Sequence, residues 1–200
     1  MITALDPKTA LVLIDLQNNI AAYPFLHPSA EIIEQSGKLA DAFRAKNLPV
    51  VLINVNTLGA KWTLARSEKT SSPKTAEAIA EAKAQAEATG AINIVPQLKV
   101  HDTDLRITKH TWSAFFETPL HHELQKRGIT GIVLAGIATS IGVEGTARTA
   151  SELGYNLTFA SDAMTDFALP QHEHSLTTIF PRIGEIDTTD AIIAHLQQLA

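Results

Sequence analysis

Three uninterrupted apolar runs constrain this chain more than any other feature: Ala10 to Ile14 (ALVLI), Val50 to Ile53 (VVLI) and Ile132 to Ala135 (IVLA). A strand wet on one side alternates apolar and polar residues, so runs without alternation describe strands covered on both faces. Helical patterns lie between them. Residues 30–46 carry an apolar stripe at Ile32, Ile33, Leu39, Ala42 and Phe43, ended by Leu48-Pro49. Residues 118–127 place Pro119 at the first helical position and Gly128 just past the end. Further helices are expected over 139–153, 171–180 and 189–199, and further strands over 105–108, 156–160 and 185–187. Strands alternating with helices mean an α/β fold. The expectation is a three-layer α/β/α sandwich with a mainly parallel six-stranded sheet, forming a single domain over residues 1–200.

The segment Ser71 to Gly90 (SSPKTAEAIAEAKAQAEATG) is different in kind. Ser72 and Pro73 make a helix start and Gly90 a stop, but the body is Ala, Glu and Lys with almost no large apolar residue. It reads as a solvated surface helix, with a lid or an oligomer contact as the sharper alternative.

Composition excludes several roles. A net charge of -5 with scattered Lys and Arg gives no basic stripe for a phosphate backbone, so nucleic acid is not an expected partner. With 0 cysteines there is no disulfide framework, thiolate metal site or catalytic thiol. No run reaches the roughly 18 apolar residues of a membrane span, and the N-terminus lacks a basic start leading into an apolar stretch. No membrane association is expected, and the location expected is cytoplasmic.

In open parallel sheets ligands bind outside the carboxyl ends of the strands. The first run ends in Asp15. The strand over 105–108 ends in Lys109, followed by His110, Trp112, Ser113 and Phe115, and the run 132–135 ends in Gly136-Ile137-Ala138-Thr139 before Ser140, Ile141 and Gly142 open a helix. If these ends are neighbours, a carboxylate, an ammonium and a set of free helix N-terminal amides meet in one pocket able to polarise a carbonyl or bind a carboxylate.

On these blocks the chain resembles the isochorismatase-like, or cysteine hydrolase, family. "LVLIDLQNN" is similar to the family's first strand with its catalytic Asp, which implies that role for Asp15. "ITKHTWSAFFETPLHHEL" resembles the segment of the catalytic Lys, which implies Lys109. "IVLAGIATSIGVEGTARTASELGYNLTFASDAMTD" resembles the signature block, in which Gly142 stands where most of the family has its nucleophilic Cys. A thioester cannot form on glycine, so acyl-enzyme amidase chemistry is not expected. The family's metal-site Asp-x-His is here Asn54-Val55-Asn56, and no catalytic metal or cofactor is implied. Isochorismatases proper resemble this chain in having Gly at that position. Their reaction runs by protonation of a vinyl ether by the strand-end Asp, then water attack.

The resemblance therefore implies a metal-independent hydrolase of a small carbonyl- or carboxylate-containing compound. Asp15, Lys109 and Gly142 would form the catalytic centre; by their positions in the chain, Ala138, Thr139, Ser140 and Ile141 in the turn, Trp112 and Phe115 after Lys109, and Trp62 and Arg66 in the loop after the second strand are the candidates to contact substrate. It also implies a non-proline cis peptide just before Thr139 and a homo-oligomer, dimer or larger. Trp62, Arg66 and Lys61 lie in the loop after the second strand and read equally well as ordinary loop residues. Thr139 or Ser140 reads as a helix N-cap rather than as a substitute nucleophile. His172 and His174, two apart, cannot share one helix face as a metal pair. The alternative is a catalytically inactive homologue that binds or regulates through the same pocket, or one with a purely structural role.

Overall fold

In the computed structural model, residues 1–58, 60, 66 and 73–199 are described. Six strands form one sheet in the order β3-β2-β1-β4-β5-β6, and every pairing is parallel. They are β1 (Thr9–Ile14), β2 (Val50–Val55), β3 (Leu105–Lys109), β4 (Gly131–Ile137), β5 (Asn156–Thr165) and β6 (Glu185–Asp187). The connections contain α1 (Asn18–Ala21), α2 (Ser29–Ala45), α3 (Ala76–Ala88), α4 (Leu120–Lys126), α5 (Glu144–Glu152), α6 (Leu169–His174) and the closing α7 (Thr189–Gln198). The α/β/α sandwich read from the apolar runs is the fold observed.

Alternation along β1 divides the core in two. Leu11 and Leu13 pack with Ile32, Leu39 and Phe43 of α2 and Ile192 and Leu196 of α7. Ala10, Val12 and Ile14 face the other way, with Leu120 and Leu124 of α4 and Ala147 and Ala150 of α5. Every residue of β1 and β4 is buried, as a strand covered on both faces requires. The helix α3 has no buried residue and starts from Thr75, whose hydroxyl accepts from the Ala78 amide at 3.2 Å. It is the surface helix expected from the sequence, but it starts later than the Ser72-Pro73 signal: Ser72 lies outside the described residues, Pro73 is described and not helical, and the cap is Thr75.

Two expected elements differ. The fifth strand runs to Thr165, well past residue 160, because Ser161 and Asp162 bind the β6–α7 junction: Ser161 Oγ donates to Asp187 O at 3.1 Å, and Asp162 Oδ1 accepts from the Thr189 amide and hydroxyl at 2.7 and 2.9 Å. The helix expected over 171–180 begins earlier, as α6, and continues through a π turn (Ser175–Ile179) and a 3-10 turn (Phe180–Arg182). There Phe180 stacks on Phe159, with ring centroids 3.9 Å apart.

The strand order places the site. From β1 the chain proceeds to β2 and β3 on one side, then returns to β4 on the other. Loops leaving the carboxyl ends of β1 and β4 thus diverge and leave a crevice between them.

Candidate functional site

Asp15 follows the last residue of β1. Its backbone adopts φ 53, a left-handed conformation that aspartate tolerates better than most residues, while its amide still donates to Ile53 O at 2.9 Å. Gln17 secures the loop that follows. Fully buried, it accepts from the Val55 amide at 2.7 Å and donates to Val55 O at 3.1 Å, satisfying the end of β2 as a neighbouring strand would.

Lys109 closes β3, which β2 separates from β1, and the length of its side chain carries its ammonium to Asp15. Nζ lies 2.8 Å from Asp15 Oδ2 and donates to Thr111 O at 3.0 Å. The two side chains are 2% and 6% exposed, so the pair is desolvated. Among the described residues, Asp15 Oδ1 is buried without a hydrogen-bond partner. Burial pushes the Asp15 carboxyl from 3.8 up to about 6, against the charge of Lys109 and its hydrogen bond, which act downward.

The third strand end arrives over this pair. Gly136 (φ 118) faces Ile14 in register so closely that a Cβ there would sit 2.1 Å from Ile14 O, so only glycine fits. The Ile137–Ala138 peptide is cis, one bond before the position expected from the resemblance, and Thr139–Val143 then form a π turn leading into α5. A Cβ on Gly142 would lie 2.8 Å from Ile14 Cγ2, 3.1 Å from Asp15 Oδ2 and 3.4 Å from Lys109 Nζ. The bare glycine backbone therefore stands directly against the ion pair.

A cavity of about 240 Å³ opens onto this junction. Asp15, Lys109, Ala138, Ile141 and Gly142 line it, as does Trp112, and Asp15 and Lys109 are the only charged residues among its described walls. Three further rings form an aromatic wall that the sequence reading did not contain: Tyr23, Phe25 and Phe167. Phe25 and Phe167 meet at 4.7 Å, and Tyr23 sets its edge to both at 6.3 and 6.2 Å. A larger groove of about 750 Å³ runs between α2 and residues 95–97, but its charged residues, such as the bridged Lys38 and Glu34, lie at the surface. The buried acid–base pair singles out the smaller cavity.

Several expected contacts are elsewhere. Phe115 is buried in the core beside α4, stacked on Tyr155 at 5.9 Å, because the chain after Trp112 turns inward. Ser140 lines a separate surface depression with Glu144 and His174, and Thr139 is wholly buried behind the turn, so neither reaches the cavity. Neither caps the helix with its side chain: Thr139 Oγ1 donates to Thr165 O at 3.0 Å, and the Ser140 amide is capped by Asp166 Oδ2 at 2.6 Å. Arg66 is exposed and is not among the cavity walls. Trp62 and Lys61 lie outside the described residues. His172 reaches Thr139, as described below.

A family model described as "Isochorismatase domain" matches residues 9–191, and the chain belongs to this family of hydrolases. It is 40% identical over 190 residues to the uncharacterized isochorismatase family protein YwoC of Bacillus subtilis, covering 95% of each. It is 28% identical over 204 residues to the ureidoacrylate amidohydrolase RutB of Pseudomonas savastanoi, covering 90% of this chain and 81% of that one. A solved isochorismatase family protein from Burkholderia thailandensis superimposes with a TM-score of 0.81 at 36% identity, over 99% of this chain and 100% of that one.

Proposed function

We propose that the protein hydrolyses a small carbonyl- or carboxylate-containing compound without a covalent enzyme intermediate. Asp15 moves the proton, Lys109 fixes the carboxyl electrostatically, and backbone amides of the turn beside Gly142 cradle a carboxylate or carbonyl oxygen of the substrate. The observation that carries this reading is the desolvated Asp15–Lys109 pair at the cavity, with one carboxylate oxygen unpartnered among the described residues.

With its pKa near 6, Asp15 is protonated in about one molecule in ten at pH 7. A carboxyl so poised can give up a proton and take one back within a cycle. The reaction form that needs no nucleophilic side chain is cleavage of an enol ether. Asp15 delivers its proton to the terminal carbon of the C=C–O unit, and water adds to the resulting oxocarbenium carbon. The hemiketal then collapses to a ketone and an alcohol, and the proton lost from water returns to Asp15. No metal is called for: Asn54 is committed to Thr108 and Ile92 O, and Asn56 accepts from the Leu58 amide.

The test is to incubate the protein and its Asp15→Asn variant with isochorismate and with small amides, ureides and esters, following products by mass spectrometry. Turnover that disappears in the variant supports the reading, and full activity of Asp15→Asn overturns it. A second reading, ligand binding without turnover, is favoured by the absence of a side chain at Gly142, and it predicts tight binding of a panel compound with no product.

A further inference from the structure

Behind the turn that carries Gly142 lies a buried polar cluster that takes no part in the proposed reaction: Thr139, Thr165, Asp166 and His172. Its bonds define a direction. The single proton of Thr139 Oγ1 goes to the Thr165 carbonyl, which can only accept, at 3.0 Å. The 2.9 Å contact between Thr139 Oγ1 and His172 Nδ1 is therefore a bond that His172 donates. His172 is held mainly neutral: burial and the neighbouring His27, ring centroids 5.2 Å away, lower its pKa, outweighing Asp166 and Glu173, which raise it. The imidazole is thus in its Nδ1–H form, the form that serves Thr139.

The same strand end also holds the aromatic wall. Asp166 Oδ2 accepts from the Ser140 amide at 2.6 Å, and its backbone carbonyl accepts from the Leu26 amide at 2.8 Å. Thr165 Oγ1 accepts from the His27 amide at 3.0 Å. Phe167 follows immediately, while Tyr23 and Phe25 lie in the segment that Leu26 and His27 tie down.

We infer that His172 is a positioning residue for the proposed reaction: through Thr139 it holds the 138–142 turn against the Asp15–Lys109 pair. The inference rests on the reading of Asp15 as the proton carrier, but its physical content is the cover over that carboxyl. If His172 ceases to hold Thr139, the turn loosens and water enters. Asp15, raised by burial, then titrates closer to an ordinary carboxyl.

Four variants separate this role from general stability. Thr139→Val and His172→Phe keep shape and lose the bond, whereas Thr139→Ser keeps the hydroxyl and His172→Asn keeps a donor near the Nδ1 position. The readouts are the carboxyl carbon shift of Asp15 across pH by NMR and amide exchange of residues 140–143 relative to β1 and β4. In the first two variants, turn amides should exchange about tenfold faster, with the sheet amides unchanged, and the Asp15 pKa should fall by at least half a unit. Thr139→Ser and His172→Asn should restore both. Unchanged exchange and titration in folded Thr139→Val and His172→Phe overturn the inference. So does equal loss in all four variants, or exchange rising uniformly through the sheet. Neither readout needs a substrate, so an inactive protein or a fully active Asp15→Asn would refute the proposed function while leaving this result to stand or fall on its own.

Discussion

Replacing Lys109 with methionine keeps much of the side-chain stem and removes the one cation 2.8 Å from Asp15 Oδ2. At an effective dielectric of about 20, two unit charges at that separation attract by ~6 kcal/mol, equivalent to about four in pKa. Water entering beside the shorter side chain will return part of this. Both of Lys109's effects on Asp15 are downward, and burial, the largest influence, remains. The carboxyl of the Lys109→Met variant should therefore climb from about 6 by at least one, leaving at least about half of Asp15 protonated at pH 7. The assay is the Asp15 carboxyl carbon shift followed by NMR from pH 4 to 9. A pKa that stays near 6 or falls would refute the argument, showing that Lys109 does not set the charge of Asp15 or that the site floods once the lysine is gone.

Stability should follow the same titration. The folded protein holds the Asp15 proton more tightly than the unfolded chain, whose carboxyl titrates near 3.8. The stability contributed by this group is therefore complete below pH ~4 and is lost as pH rises through about 6, a total of ~3 kcal/mol for a difference of about two in pKa. In Lys109→Met the loss should still begin near pH 4, set by the unfolded chain, but continue to higher pH and reach a larger total. Between pH 5 and 7 the parent protein should lose ~1.3 kcal/mol from this group and the variant ~2 kcal/mol or more, so thermal unfolding of the variant should vary more over that range.

Asp104→Ala should destabilise by ~3–5 kcal/mol in guanidinium unfolding, because it strands the Arg44 guanidinium, 9% exposed, that now forks onto the carboxylate at 2.7 and 3.2 Å. A cost below 1 kcal/mol would mean that Arg44 finds water or Asp41 instead. Turnover of any substrate found should survive exhaustive dialysis against a chelator, and activity lost that way and restored by a divalent metal would overturn the metal-independent reading. Gly142→Cys should fold with ~1–3 kcal/mol less stability, its Cβ crowding Ile14 Cγ2 at 2.8 Å. Its thiol, beside Lys109, should react with iodoacetamide faster than free cysteine, and an inert thiol would show that the pair does not activate a group at this position.

The sheet and the acid–base pair were legible because both are written locally. β1, β2 and β4 are covered on both faces and so carry period-free apolar runs, and in such a sheet a polar residue that ends a strand points to a site. Asp15 and Lys109 satisfy that rule, and the structure brings them together across β2. The aromatic wall escaped because Tyr23 and Phe25 sit in irregular chain after α1, and because ending the fifth strand at residue 160 hid Phe167 just beyond its true end. The polar Ser161 and Asp162 look like a strand terminus until their partners across the β6–α7 junction are known. The hydroxyls of Thr139 and Ser140 were misassigned for the same reason. A cap is normally supplied from within a few residues, and here Asp166 supplies it from 26 residues away.

Gly142 is the limiting case. A glycine offers no side chain from which to infer a contact, so its importance depends on what surrounds it: the Ile14 methyl that leaves little room for a Cβ, and the carboxylate and ammonium that a Cβ would touch. Polar chemistry at a strand end can be read from one segment of chain. The space left free above it is set by three segments together, and on the proposed reading that space lets water, rather than a side chain, meet the substrate.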